Sequence, residues 1–91
     1  MYEIGRKKGT VSFKISANGK TGKVAVAGDW NGWKPEPMKK QKDGCYAATL
    51  EVTPGQHEYK FILDGNWIPD PDVTNVAVNA FGSLNSVAVV K

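Results

Sequence analysis

Three tryptophans stand in segments rich in Gly, Pro, Asp and Lys rather than in apolar runs. Trp30 and Trp33 lie three residues apart in WNGWKPEPMKKQKDGCY, and Trp67 follows an Asp-Gly pair in LDGNWIPDP. Pyranose rings present flat patches of C–H groups that lie well on an indole face, whereas their hydroxyls need polar side chains at the rim. Tryptophan combined with Lys or Asn therefore favours a sugar-binding surface.

The same tryptophans also have a purely structural explanation. Large aromatic side chains usually lie in a protein core, where each buries about 150–250 Å². Trp30 and Trp33 could both cap one end of the fold, and the pattern alone does not decide between packing and binding.

Three aspartates near Trp67 raise the alternative of catalysis. Glycoside hydrolases use two carboxylates that face each other across a bound sugar, and Asp64, Asp70 and Asp72 are close in sequence. Asp before Gly and Asp flanking Pro are, however, turn residues that hydrogen-bond nearby backbone. His57 is the only histidine, and the sequence indicates no nucleophile–His–Asp arrangement around it. We therefore expect no enzyme activity.

Neither a metal nor a cofactor is expected. The oxygen-bearing residues of DGNWIPDPD are too irregularly spaced for a calcium loop. Cys45 is the only cysteine, so it can form neither an internal disulfide nor a cysteine metal cage. Its place at the start of an apolar strand favours a small buried or half-buried thiol.

Size and charge define a small domain with a mild basic excess. The chain has 91 residues, of which 41% are apolar and 23% charged, which is typical of one domain over residues 1–91. No apolar run reaches the roughly 18 residues of a membrane span, and no signal peptide is indicated, so we expect a cytoplasmic protein without membrane contact. The net charge of +3 comes from twelve basic against nine acidic residues, with basic clusters at positions 6–8 and within 39–42. Such runs are usually solvated.

Period-2 alternation of apolar and polar residues predicts short strands. They are expected within 11–16, 23–30, 46–52, 57–63 and 86–90. Turn pairs separate several of them, namely Asn18-Gly19, Pro54-Gly55 and Asp64-Gly65. No segment has the 3.6-residue periodicity of an amphipathic helix.

These strands predict an all-β fold, either a sandwich of about seven or eight strands or a small barrel. The expected core residues alternate along the strands: Phe13, Val26, Leu50, Tyr59, Phe61 and Leu63. Lys60 alternates with its core neighbours, so it should lie on the opposite sheet face, on a strand that leads directly to Trp67.

A longer pattern connects the tryptophan segments with a family. VAGDWNGWKPEPMKKQKDGCYAATLEVTPGQHEYKFILDGNWIPDPD followed by NAFGSLNSVAVV resembles the carbohydrate-binding modules of family 48. These glycogen- and starch-binding modules occur in AMP-activated protein kinase β subunits and at the N-termini of branching and debranching enzymes. The resemblance covers about residues 22–90. Its most specific parts are G-x-W/F-N-x-W, G-x-H-x-Y-K-F-x-x-D-G-x-W-x-x-D-P and a closing G-S/T-x-N.

The resemblance implies an immunoglobulin-like antiparallel β-sandwich that binds α-1,4-linked glucans without catalysis. Trp30 matches an aromatic that is packed inside in that family. The matching sugar contacts are Trp33, Lys60, Trp67, Phe81, Ser83 and Asn85. At the Phe81 position the kinase subunits usually have Leu, so this residue departs from the pattern. A catalytic domain or a kinase subunit would be the partner in a longer protein.

Two other functions remain open at this point. A basic all-β domain with exposed aromatics is the outline of a single-stranded nucleic-acid platform, although here the tryptophans lie in turns and apart from the lysine run. A structural or protein-interaction domain of a larger α-glucan enzyme or kinase complex is the other alternative.

Overall fold

The structure, a computed structural model, describes residues 1–5, 7, 9–16, 22–79 and 82–90. Within these residues the chain forms ten strands and a single 3-10 turn, Asp29–Asn31. The strands are β1 (Tyr2–Ile4), β2 (Thr10–Ser16), β3 (Val24–Gly28), β4 (Glu36–Pro37), β5 (Lys39–Lys40), β6 (Cys45–Glu51), β7 (Gly55–Leu63), β8 (Asn66–Ile68), β9 (Val76–Val78) and β10 (Leu84–Val90).

The strands form two antiparallel sheets. The first has the order β1-β2-β6-β5, and the second has the order β4-β3-β7-β10-β9, with β8 added beside β7. The core draws side chains from both sheets, among them Phe13 of β2 and Phe61 of β7. The predicted all-β sandwich is confirmed, and the alternative of a barrel is wrong because the strands divide between two separate sheets.

The structure contains more strands than the seven or eight expected. The additional ones include β4 and β5, of two residues each, which are too short to produce a visible alternation. Lys39 and Lys40 thus belong to an edge strand rather than a loop. The predicted Asn18-Gly19 turn lies outside the described residues. No helix in the described ranges is long and apolar enough to cross a membrane.

The core follows the predicted alternation closely. Four of the predicted residues are fully buried: Phe13, Val26, Tyr59 and Phe61. Leu50 and Leu63 are partly buried and pack against this cluster. Side chains that alternate along a strand point to opposite sheet faces, so burial of Tyr59 and Phe61 leaves Lys60 on the outer face of the second sheet.

Trp30 closes one side of this core. Its partly buried indole packs against the core cluster and stacks on Phe13. A Cβ atom at Gly28 would lie only 2.1 Å from Cζ3 of Trp30. Position 28 therefore requires glycine, because the Trp30 ring lies so close to the backbone there. The expectation that Trp30 packs inside is met, although part of the ring remains accessible.

A buried carboxylate joins the second sheet to the loop after β8. The Tyr59 hydroxyl donates to Asp70 Oδ2 at 2.6 Å, and the backbone N–H of Asp70 donates to Ser86 Oγ at 2.6 Å. Asp70 Oδ1 accepts the backbone N–H of Asp72 at 3.0 Å, as expected of an aspartate in a turn. Burial, followed by the hydrogen bond to Asp70, raises the pKa of Tyr59 far above its usual value.

Candidate functional site

Strand β7 brings the elements of the candidate site together because two strands share one of its edges. The first part of β7 pairs with β10, through Ser86 opposite Tyr59, whereas its last three residues pair with β8, through Trp67 opposite Ile62. Strand β3 occupies the other edge of β7. The start of β10 and the end of β8 therefore approach each other along this edge of β7, at the level of Lys60.

Trp67 is presented by a tight hairpin between β7 and β8. Asp64 and Gly65 have φ values of 49° and 87°, the left-handed pair that a two-residue type I′ turn requires. Oδ1 of Asp64 accepts the backbone N–H groups of Gly22 at 3.1 Å and Lys23 at 2.8 Å. Asp64 thus fixes a neighbouring loop rather than its own turn, and Trp67 is 46% exposed.

Trp33 approaches from the loop after β3. The residue has φ 67° directly after Gly32 at φ 72°, and a positive φ is uncommon for a bulky residue. Its backbone N–H donates to the carbonyl of Gly28 at 2.9 Å. The Asn31 side chain accepts from the Lys34 N–H at 3.2 Å and donates to the Lys34 carbonyl at 3.1 Å. These bonds hold the unusual backbone that orients the half-buried indole.

Together these elements form a shallow depression of about 360 Å³ on the outer face of the second sheet. Its lining residues are Trp33, Lys60, Trp67, Asn79, Ser83 and Asn85. The structure therefore brings five of the six sequence-predicted site residues into one place. Phe81 lies outside the described residues.

The polar side of the depression is a connected hydrogen-bond network. Ser83 Oγ accepts from Lys60 Nζ at 2.9 Å and from Asn79 Nδ2 at 2.6 Å. Asn79 Nδ2 also reaches Asn85 Oδ1 at 3.4 Å, and Asn85 Nδ2 donates to Glu58 Oε1 at 3.0 Å. Asn85 is only 4% exposed, so much of its hydrogen-bonding capacity is directed into this network.

Asn79 and Glu58 are the members of the network that the sequence did not predict. Glu58 precedes Tyr59 on β7 and faces outward like Lys60, as the alternation along the strand indicates, but alternation does not predict its hydrogen bond with Asn85. Asn79 stands four residues before Ser83 with Gly82 between them, a spacing that suits an Asn-closed loop. This spacing is visible in the sequence, but Asn is so common in turns that the spacing alone does not identify Asn79 as a site residue.

A second depression, of about 550 Å³, opens on the other side of Trp67. Its wall is mainly apolar and includes Pro35, Pro37, Tyr46 and Ile62. Trp67 lines both depressions, so its indole forms part of the ridge between them.

His57 takes part in an arrangement that resembles a catalytic triad. Its Nδ1 lies 2.6 Å from Asp29 Oδ1, and its Nε2 lies 3.2 Å from Thr53 Oγ1 and 2.7 Å from the Thr53 carbonyl. A carbonyl oxygen only accepts, so the closer contact requires Nε2 to donate, whereas a general base needs a free lone pair there. Asp29 Oδ2 also accepts the Glu58 N–H at 3.0 Å. The arrangement connects loops and gives no activated nucleophile.

Among the described residues no group of three or more His, Cys, Asp or Glu side chains is placed to hold a metal ion. Cys45 is half-buried, with Sγ 3.3 Å from Ser16 Oγ, as its position at the start of a strand predicted.

Most of the chain matches one known protein family. The sequence profile of the glycogen recognition site of AMP-activated protein kinase matches residues 11–91. The chain belongs to this family. The match extends the resemblance seen over residues 22–90 towards the N-terminus, so that it includes the core residues of β2.

Relatives of the glycogen-recognition family share the sequence over most of the domain. The β-1 subunit of 5′-AMP-activated protein kinase from Sus scrofa is 32% identical over 79 residues, which cover 87% of this chain and 62% of the pig protein. The chain therefore spans less than two thirds of this relative.

Solved structures share the fold at lower sequence identity. A maltogenic amylase from S. marinus superposes with a TM-score of 0.79 and 22% identity, over 100% of this chain and 16% of the amylase. A pullulanase from Anoxybacillus, complexed with maltotetraose, superposes with a TM-score of 0.68 and 19% identity, over 96% of this chain and 13% of the pullulanase. The same sandwich thus occurs as a small part of much larger chains.

Proposed function

We propose that this domain binds α-1,4-linked glucans, such as glycogen, starch or maltodextrins, and does not catalyse their conversion. The proposed contacts are Trp33, Lys60, Trp67, Phe81, Ser83 and Asn85. The observation that carries the proposal is the depression in which Trp33 and Trp67 stand beside the Lys60–Ser83 hydrogen bond. Phe81 is included because of its position in the family motif.

The chemistry of the depression suits a sugar ring. Two indoles, one from the loop after β3 and one from strand β8, provide apolar platforms for C–H faces, and water-excluding contact with one such face is worth about 1–3 kcal/mol. Lys60 supplies a charged donor, whose hydrogen bond to a sugar hydroxyl is worth about 1.5–3 kcal/mol when well formed. Ordering the ligand on a shallow surface offsets much of this, so we expect affinities from micromolar to millimolar, roughly −8 to −4 kcal/mol.

The curvature of the ligand gives the proposal its selectivity. An α-1,4-linked chain bends, so successive parts of it can meet the Trp33 and Trp67 platforms, which come from a loop and from strand β8 respectively. A straight β-1,4-linked chain cannot follow both. Membership in the glycogen-recognition family supports the choice of an α-glucan.

The structure offers less support for binding of single-stranded nucleic acid. Lys39 and Lys40 lie on β5 in the first sheet, whereas Trp33 and Trp67 line a depression on the second sheet. A stacking platform would need the basic groove and the aromatics on one surface.

The larger context of the domain is also a proposal. The relatives with this domain are longer proteins, so a catalytic domain acting on α-glucans or a kinase subunit is the partner that we propose for a full-length protein. In either case the depression would supply glucan binding to a neighbouring domain.

Calorimetric titration with maltoheptaose and with cellohexaose tests the proposed function. Maltoheptaose should bind in the stated range and cellohexaose at least about tenfold more weakly, because the straight chain loses one platform. The Trp67→Ala variant should remain folded and show no measurable binding of maltoheptaose. Equal affinity for the two sugars, or unchanged binding by Trp67→Ala, would contradict the proposal.

A further inference from the structure

We propose that Asn79 is a positioning residue that makes Ser83 a hydrogen-bond donor to the ligand. The inference rests on the proposed function and adds the direction of one hydrogen bond in the depression, together with the residue that sets it. The bound sugar must then present an oxygen that accepts a hydrogen bond at this point.

The orientation of the Asn79 amide follows from its neighbours. The backbone N–H of Ser83 can only donate, and it lies 3.2 Å from Asn79 Oδ1. The oxygen therefore faces the backbone of Ser83, and the Nδ2 group faces Ser83 Oγ at 2.6 Å. An amide nitrogen donates and does not accept, so Asn79 donates to the hydroxyl.

Lys60 makes the second contact to the same hydroxyl. An ammonium group has three donors and no acceptor, so Lys60 Nζ also donates to Ser83 Oγ, at 2.9 Å. A hydroxyl has two acceptor lone pairs and one donor hydrogen. Both lone pairs of Ser83 are thus occupied, and only its hydrogen remains for a further bond.

The hydroxyl hydrogen of Ser83 is available to a ligand in the depression. Ser83 is exposed and lines the depression beside Lys60 and Trp67. No acceptor for this hydroxyl hydrogen occurs in the part of the chain that the structure describes. The Lys60 ammonium has two further N–H groups, so the polar groups centred on Ser83 offer donors rather than acceptors.

This polarity restricts which sugar atoms fit. Ring and glycosidic oxygens only accept hydrogen bonds, whereas sugar hydroxyls do both. The donors around Ser83 can therefore bond to a lone pair of any of these oxygens. A sugar in which hydrogen replaces the oxygen at this position would lose the bond. Asn79 sets this preference by occupying a lone pair of Ser83, without needing to touch the sugar.

Asn79 also closes the loop that carries Ser83. The Asn79 backbone N–H donates to the Ser83 carbonyl at 2.9 Å, and the Gly82 N–H donates to the Asn79 carbonyl at 3.1 Å. A substitution that opens the loop would weaken binding for an uninformative reason. Asn79→Asp avoids this because it keeps the oxygen that faces the Ser83 N–H and changes only the Nδ2 group, which faces the hydroxyl at 2.6 Å and Asn85 Oδ1 at the longer distance of 3.4 Å.

Asn79→Asp should reverse the hydrogen bond at Ser83. The new carboxylate oxygen accepts, so the Ser83 hydrogen turns towards it and is withdrawn from the ligand. Titration with maltoheptaose, followed by NMR, should show binding weakened by roughly three- to tenfold, the loss of one neutral hydrogen bond. Ser83→Ala should weaken binding by a similar factor, and Ser83→Thr, which keeps the hydroxyl, should restore it.

The double variant separates positioning from a general effect of the new charge. If Asn79 acts through the Ser83 hydroxyl, adding Asn79→Asp to Ser83→Ala should cause no further loss. Asn75→Asp, which adds the same charge at an exposed position, should bind like the wild type. Independent, additive losses from Asn79→Asp and Ser83→Ala would overturn the proposal.

A measurement without ligand distinguishes this inference from the proposed function. In the free wild-type protein the side-chain N–H₂ hydrogens of Asn79 should exchange with water at least about tenfold more slowly than those of Asn75, and Ser83→Ala should reduce the difference, leaving only the longer contact to Asn85 Oδ1. Equal exchange of Asn79 and Asn75 in the wild type would overturn the positioning role even where maltoheptaose binds. If the wild type fails to bind maltoheptaose, the proposed function is wrong, whatever the exchange rates.

Discussion

The indole of Trp30 stacks on the ring of Phe13, with ring centroids 5.1 Å apart and 18° between the ring planes. Trp33 follows three residues later and instead lines the surface depression with Lys60 and Trp67. The chain changes direction between the two tryptophans through the left-handed residues Gly32 and Trp33. One short loop therefore supplies one side chain to the core and another to the candidate site.

The two tryptophans should differ in their effect on stability. Trp30→Ala should lower the free energy of unfolding by about 2–4 kcal/mol, because it removes a large aromatic contact from the core. Trp33→Ala should lower it by less than about 1 kcal/mol, because this indole lines an open depression. Urea denaturation followed by circular dichroism measures both values. A loss for Trp33→Ala as large as that for Trp30→Ala would contradict the assignment.

Tyr59 should make the fold sensitive to alkaline pH. Its pKa is raised in the folded state, first by burial and then by Asp70, whereas an unfolded tyrosine titrates near pH 10. The unfolded chain loses this proton first, so Tyr59 contributes its full stability below about pH 10. That contribution falls by up to roughly 1.4 kcal/mol per pH unit above it.

Tyr59→Phe should remove this dependence. The variant should be less stable than the wild type at pH 8, because Asp70 loses a donor, but its stability should fall less steeply between about pH 10 and 11.5. Urea midpoints across this range give the comparison. Parallel pH profiles for the two proteins would show that Tyr59 has no raised pKa.

Lys60 should contribute to sugar binding through a direct contact rather than through general electrostatic attraction. Lys60→Ala should weaken maltoheptaose binding by about 1–2 kcal/mol, through the loss of a charged donor and of its contact with Ser83. Lys40→Ala removes the same charge from an exposed edge strand of the other sheet, and it should leave the affinity unchanged. If calorimetry gives equal losses for the two variants, the effect is general electrostatics and the assignment of Lys60 is wrong.

The sheet faces could be predicted because alternation along a strand has one physical cause. Phe13, Tyr59 and Phe61 alternate with polar residues, and in a sheet with one buried face this pattern fixes the side of every neighbour. The position of Lys60 followed from the same rule. Two-residue strands such as β4 and β5 could not be predicted, since no periodicity exists over two residues.

The candidate site was predicted less completely, for reasons of distance along the chain. Motif positions predicted Trp33, Lys60 and Trp67, and the proximity of Lys60 to Trp67 followed from the strand that leads from one to the other. The hydrogen bond from the Lys23 backbone N–H to Asp64 Oδ1 joins residues 41 positions apart. No local pattern indicates such a contact. The proposed role of Asn79 depends likewise on the position of the Lys60 ammonium. That position relative to Ser83 is set by the pairing of β7 with β10, which no local pattern indicates.

The three indole N–H resonances provide the most direct test of the proposed glucan site. In a proton–nitrogen correlation spectrum recorded during titration with maltoheptaose, the Nε1–H signals of Trp33 and Trp67 should shift progressively and saturate together. The Trp30 signal should stay in place, because its ring packs on Phe13 rather than in the depression. Unchanged Trp33 and Trp67 signals at saturating sugar, or a shift confined to Trp30, would contradict binding of an α-glucan at this site.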